Sequence, residues 1–461
     1  MKTTISKIFT ALAVGVISYQ PVHIFAQKKA VSDKGWHNLF DGKSLKGWKK
    51  LGGNAPYTIE KGAIVGTMTK GTPNSFLVTQ KEYGDFILEV DIKLEGEGTN
   101  SGVQTRSHYD AEKKRVFGRQ VEVDPTARAW TGGIYDEARR GWLYPLDLNE
   151  AAKSAYKPNE FNRIRIEAIG DELRTWVNNV PVSYVIDTLD KRGFIGLQVH
   201  SIPDKLDGKK VYFKNIRIQT KNLKTKPFSK DVFVVNLKPN QLSSAEKAAG
   251  FSLLFDDEKA DQWRSVRGNS FPEKGWKVGK GEMTVLKSDG GESTNGGDII
   301  TRDQYSVFDL SFEFKLSPGA NSGVKYFVTL KEKTQGSAIG LEYQILDDKL
   351  HPDAKMGRDG NRTLASLYDL ITSNKETRAR RPIGEWNRGR IVVAADNTVT
   401  HYLNGIKVVQ YKRGSQDFRD LVAKSKYKDW ESFGEAPQGH ILLQDHGDNV
   451  SFRNIKIKKL K

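Results

Sequence analysis

Apolar and polar positions follow one another along most of this chain in short alternating runs. Leu341, Tyr343 and Ile345 alternate with Glu342, Gln344 and Leu346, the period-two pattern of a strand with one packed face. Val324 and Tyr326 alternate with Lys325 and Phe327, and Ile441 and Leu443 belong to a further run of the same kind. Gly, Asn and Asp separate the runs. Asn178-Asn179 and Asn404-Gly405 each lie between two of them, which predicts two hairpins. Helical spacing is confined to 148–156, 243–249 and 416–426. The fold class is therefore all-β.

Compared with itself, the chain repeats. Phe40-Asp41 with Trp48 recurs as Phe255-Asp256 with Trp263, and Asn100-Ser101-Gly102-Val103 recurs as Asn321-Ser322-Gly323-Val324. Glu160-Phe161-Asn162 matches Glu385-Trp386-Asn387, Gln198-Val199-His200 matches Gln444-Asp445-His446, and FKNIRI at 213–218 matches FRNIKI at 452–457. The order is kept throughout. Two copies of one domain follow, 35–220 and 250–461, joined by the Lys- and Pro-containing linker 221–249. Each copy has the strand and turn pattern of a jelly-roll β-sandwich, and each is expected to fold on its own.

Residues 1–26 read as a signal peptide: Lys2 and Lys7, a short apolar run from Ile8 to Ile17, then Ile24-Phe25-Ala26. The apolar run is too short to span a bilayer and no later one is longer, so an exported, soluble, periplasmic or extracellular protein without a membrane span is expected. With no cysteine, neither disulfides nor a lipidated cysteine can contribute. The formal net charge of +17 is dispersed along the chain, which together with export argues against nucleic acid. Attraction to an acidic polysaccharide or a cell surface is the livelier reading of that charge.

The FDG…W opening, NSGV, GLEYQILD, TLASLYDL, EWN, the LNG hairpin, LQDHGD and FRNIKI of the second copy resemble the 3-keto-disaccharide hydrolase domain family. The first copy resembles it through FDG, NSGV, GRQVEVD, TGGIYDEARRGWLYP, LQVH and FKNIRI. It departs at Phe161, where the second copy has Trp386, at Asn179 in place of the hairpin glycine, and in the reversed order of Gln120 and Glu122 relative to Glu342 and Gln344. The resemblance implies two tandem concanavalin-like jelly rolls and an exported enzyme acting on glycosides whose sugar carries a ketone at carbon 3. The partner would be a glycoside or oligosaccharide, with a sugar 3-oxidoreductase supplying the ketone. Such a ketone acidifies the hydrogen on carbon 2, so a base can remove it, the aglycone leaves carbon 1, and water adds to the enone. That route needs a base, a group for the enolate oxygen and an acid.

The strand pattern supplies candidates. With Val324, Tyr326, Ile441 and Leu443 packed inward, Lys325, Phe327, Glu342, Gln344, Gln444 and His446 share the other face. Glu342, His446, Lys325 and His351 are the catalytic candidates. Gln344, Phe327, Tyr368, Asp369 and Gln444 are expected to bind sugar, and Gln104, Arg106, Gln120, Glu122 and His200 are their first-copy counterparts. Such a set offers donors and acceptors for hydroxyls above an aromatic floor. Asp347, Asp348, His351 and Asp353 are close enough in sequence for a divalent cation, Asp348 and His351 being the metal candidates and an acidic loop capped by its own backbone the plainer reading. Two other functions stay open: a non-catalytic pair of carbohydrate-binding modules, and a glycosidase with two carboxylates roughly 5–10 Å apart, for which Glu342 with Asp347, Asp348 or Asp369 is available.

Overall fold

Each copy closes on itself because its first and last strands pair. Trp36–Asn38 lies antiparallel to Lys210–Gln219, with Trp36 opposite Gln219, and Phe251–Leu253 lies antiparallel to Val450–Lys459, with Phe251 opposite Lys458. A computed structural model describes Met1 and residues 35–288, 291, 293–330, 338–376 and 379–461. The signal peptide expected at 1–26 falls almost entirely outside them.

Among the described residues, each copy is two facing β-sheets, as expected from the alternation. The sheet that carries the candidate residues has the same central order twice. In the first copy, Arg115–Val123, Ser101–Asp110, Phe194–Val199, Ser75–Thr79 and Trp48–Gly52 are neighbours in that sequence; in the second, Ile339–Leu346, Asn321–Thr329, His440–Leu443, Ile299–Thr301 and Trp263–Ser265. The first copy extends this sheet by the hairpin of Ile134–Glu137 and Gly141–Tyr144. The second has isolated bridges there, Tyr343 to Leu367 and Leu367 to Ile371.

The inward faces meet as predicted. Val324, Tyr326, Leu341, Tyr343, Ile345 and Ile441 are fully buried. They pack on Phe308–Leu316 of the opposite sheet, where the Phe312 and Tyr343 rings meet edge to face at 5.4 Å. Both hairpins use two residues at positive φ: Asn178 (49°) and Asn179 (69°), then Asn404 (51°) and Gly405 (88°). That is the backbone of a two-residue turn matched to strand twist. Of the expected helices, Ser244–Ala249 and Gln416–Ala423 are α-helical, the former with a Ser243/Glu246 capping box. The stretch at 148–156 is instead two 3₁₀ segments, Leu146–Leu148 and Glu150–Ala155.

The stretch 221–249 is not a free tether. Val234–Asn236 adds a parallel strand to Val180–Ile186 of the first copy, and Glu246 pairs with Lys456 in the last strand of the second. Arg388 Nη2 donates to the Leu143 carbonyl at 2.7 Å, and the Lys407 amide to Asp147 at 3.1 Å. One continuous buried apolar cluster runs through both copies. No helix among the described residues is long and apolar enough to cross a membrane.

Candidate active site

The second-copy site is built on two adjacent strands whose register puts Gly323 opposite Gln344 and Lys325 opposite Glu342. The glycine of NSGV has a spatial reason: a Cβ on Gly323 would come within 2.5 Å of Glu342 Oε1, so its absence leaves room for the carboxylate to lie over the sheet. Gly102 does the same for Gln120, whose Cδ would stand 2.4 Å away. Gln444 and His446 follow the neighbouring strand, His440–Leu443. Lys325, Glu342, Gln344, Gln444 and His446, with Asn321, form the floor of a cleft of about 230 Å³. Lys325, Glu342, Gln344 and Gln444 are nearly buried there, and facing core residues alternate with them as the sequence requires.

Tyr368 stands over this floor. Its hydroxyl donates to Asp353 at 2.9 Å, and burial, followed by the nearby Glu342 and Asp353 charges, pushes its ionisation well above the usual phenol range. Lys426, Tyr427 and Trp430 complete the wall. Strand alternation does not single out these three. Their signal is the KYKDW run of aromatic and basic residues just after a helix, and only the fold brings it beside Tyr368, with Lys426 Nζ 4.2 Å from that ring's centroid.

Several expected site residues lie elsewhere. Phe327 is in the core, with Arg413 stacked on its ring at 3.8 Å, rather than on the sugar face. The strand bulges between Tyr326 and Thr329, Phe327 has φ 52°, and the alternation is reset. Arg106 occupies the same bulge in the first copy, at φ 48°. Arg106 is 1% exposed, and its guanidinium donates to the carbonyls of Gly84, Ala168 and Gly170 and to Asp85, so it is a strut and not a ligand. Gln104 is buried behind the cleft and donates to Gln120 at 2.9 Å. Asp369 accepts from Arg362 and the Lys426 amide, both at 2.7 Å; it holds the wall and does not line the cleft.

The metal candidates separate as well. Asp348 accepts from the Leu364 amide at 2.6 Å and pairs with Lys375 and Arg380, and Asp347 caps the backbone of Gly319, Lys349 and Leu350. The carboxylate that shares a ligand-distance cluster with His351 is Asp448. Ligand atoms of His351, His446 and Asp448 all lie within 4.8 Å of one another, and the two rings meet edge to face at 5.7 Å. Among the described residues, these three could hold a cation. However, His351 Nδ1 accepts the Asp353 amide at 3.2 Å, which leaves the proton of the neutral ring on Nε2 and opposes ligation there. Burial, and next the neighbouring His446, lower the His351 pKa.

The first-copy cleft is larger, about 600 Å³. Glu122 lies opposite Gly102, taking the place of Gln344, and Gln120 lies opposite Gln104, taking the place of Glu342. Glu122 accepts from Asn100 Nδ2 at 2.6 Å and Gln120 Nε2 at 3.1 Å. Burial nevertheless pushes it up to about 7. His200 and Tyr135 line the same cleft, and so do Arg381 and Glu385 from the second copy.

Tandem jelly rolls, each with an open, amide-rich cleft beside an aromatic wall, define a carbohydrate-active protein. The family model of the 3-keto-alpha-glucoside-1,2-lyase-like domain matches residues 35–219 and again 250–458, and the chain belongs to that family. A Bacteroides thetaiotaomicron 3-keto-disaccharide hydrolase is 36% identical over 249 residues, spanning 49% of this chain and 84% of that protein. A solved Parabacteroides distasonis structure is 29% identical over 49% of this chain and 100% of its own, with TM-score 0.43. The Bacillus subtilis carbohydrate binding module CBM66 is 20% identical over 38% of this chain and 95% of its own, with TM-score 0.28. The chain is a carbohydrate-active hydrolase.

Proposed function

We propose that the second-copy cleft cleaves 3-keto-glycosides by elimination and hydration, and that the protein does so outside the cytoplasm on sugars oxidised by a partner oxidoreductase. The observation that carries this reading is the composition of the cleft. Among the described residues one carboxylate, Glu342, lines it, together with one imidazole and two ammonium groups. An ordinary glycosidase needs two carboxylates across the bond, whereas an elimination needs a base and a cation. In this scheme His446 takes the proton from carbon 2, and its bonding pair becomes the enolate on the carbon-3 oxygen, stabilised by Lys325. The enolate then expels the aglycone oxygen from carbon 1, which takes a proton from the imidazolium, leaving a carbon 1–carbon 2 double bond conjugated to the ketone. Water adds at carbon 1 and a proton returns to carbon 2, so the sum is hydrolysis. Glu342, Gln344, Gln444 and Asn321 hold hydroxyls beneath Tyr368.

The test is release of nitrophenol from a nitrophenyl glucoside and from its 3-keto derivative. Release from the keto form alone is expected. Equal release from both would replace the scheme with direct hydrolysis, and binding without release would make the clefts binding modules.

A further inference from the structure

The cleft of the first copy has a feature that the sugar-binding floor does not use. Six guanidinium groups line it, from Arg115, Arg128, Arg139, Arg140, Arg380 and Arg381, against three carboxylates, Glu122, Glu137 and Glu385. Four of the six are balanced from behind: Arg128 by Asp124, Arg139 by Asp136 and Asp190, Arg140 by Asp136 and Asp187, and Arg380 by Asp348. Arg115 and Arg381 have no carboxylate within 4 Å among the described residues. Arg381 is half-buried and donates one N–H to the Trp142 carbonyl at 3.2 Å. Burial, and next the neighbouring Arg140 charge, lower its pKa against the attraction of Glu385 and Asp136. A cation so placed is satisfied best by an anion brought in from outside.

The position of Arg381 is set by the tandem arrangement. Its backbone amide donates to Asn387 Oδ1 at 3.0 Å, so the asparagine of the EWN motif fixes Arg381 within the second copy, and the bond from its guanidinium to the Trp142 carbonyl joins it to the first-copy hairpin. Without the second copy the cleft would lack Arg380, Arg381, Pro382 and Glu385.

We infer that the first-copy cleft is a composite binding site for a saccharide bearing a negatively charged group, with Arg381 as the anchor of the anion and Arg115 extending the positive rim. The sugar ring lies on the Gln120–Glu122 floor beside Tyr135. Burial raises Glu122 and Glu137, so the floor carries less opposing charge than three carboxylates would. The dispersed excess of +17 adds long-range attraction. The inference does not rest on the reaction assigned to the second cleft, because it is read by binding and not by turnover.

The test is calorimetric titration of the full chain with a glucuronate-terminated disaccharide and with its neutral glucose counterpart, at low and at raised salt. The acidic ligand is expected to bind about tenfold more tightly or better, as a charge-assisted hydrogen bond provides, and salt should erode the difference. Arg381→Gln should remove most of the preference. Arg115→Gln, at an exposed strand end, should reduce it and serves as the check if the first variant misfolds. Equal affinities, no binding of the acidic disaccharide, or a preference that survives in the R115Q/R381Q double variant would overturn the inference.

Discussion

The two clefts share a floor and differ in where it carries charge. Both rest on the same strand pair, with a glycine making space at Gly102 and Gly323 and a histidine at His200 and His446. At the central rung the first copy has Gln104 opposite Gln120, and the second has Lys325 opposite Glu342. One rung along, the first has Glu122 where the second has Gln344. The first floor is thus amides around a single desolvated carboxyl held near 7, suited to gripping hydroxyls. The second places an ammonium and a carboxylate side by side under Tyr368, where charge developing on a substrate can be met. In the proposed scheme, moving one carboxylate by one rung and exchanging one amide for an amine is what would separate a holding surface from a reacting one, without altering the fold.

The largest effect that would test this contrast concerns the two histidines. His446→Ala should lower kcat by roughly 10²–10⁴-fold, the range for loss of a general acid–base group, while His200→Ala changes turnover less than about tenfold. Similar losses from both would mean that both copies react. Next, the double substitution Lys325→Gln/Glu342→Gln writes the first copy's central rung into the second. It should cost about 10²-fold in kcat, the scale of losing one oxyanion stabiliser, with sugar affinity largely kept. Retained turnover would put the chemistry elsewhere.

A third difference lies in the cores. His401 is buried with Nε2 2.8 Å from the Tyr326 hydroxyl and Nδ1 3.2 Å from the Ala365 carbonyl. Burial lowers its pKa to about 4. Its counterpart in the first copy, at the same distance before the hairpin asparagine, is Thr175, which does not titrate. The unfolded histidine binds its proton first as pH falls, so stability is intact above about 6.5 and is lost on the way down to 4. The loss should approach roughly 3 kcal/mol, read as a slope in denaturant midpoints that His401→Gln removes. No change of slope would show that the imidazole is accessible in the native state. The smallest effect concerns metal. Because the His351 tautomer opposes ligation, exhaustive chelation should leave turnover within about twofold, and Asp448→Asn should act through the orientation of His446 and the Asn321 amide that Asp448 accepts at 3.0 Å. A chelator-sensitive enzyme restored by divalent ions would instead assign a cation to His351, His446 and Asp448.

Much of this protein is written locally along the chain. Period-two alternation marks the inward residues of the site strands, since a strand with one dry face has only two ways to point its side chains. The doubled motifs mark two copies, and the asparagine and glycine pairs mark the hairpins, because few residues tolerate the positive φ those turns need. Lys325, Glu342, Gln344, Gln444 and His446 are legible for the same reason as the inward residues. The tertiary structure decided what alternation cannot carry. A bulge resets the register at Arg106 and Phe327, and at its neighbour Gly193 or Gly439 a Cβ would come within 2.4 or 2.3 Å of the bulged backbone; neither has a local periodic signature. Asp448 stands by His351 in place of Asp348, and Lys426, Tyr427 and Trp430 reach Tyr368 from more than fifty residues away. Arg381 reaches the first copy's cleft because the copies pack against one another. Alternation is a property of neighbours along a strand, whereas a cleft is made by strands, loops and domains that meet only when the chain has closed.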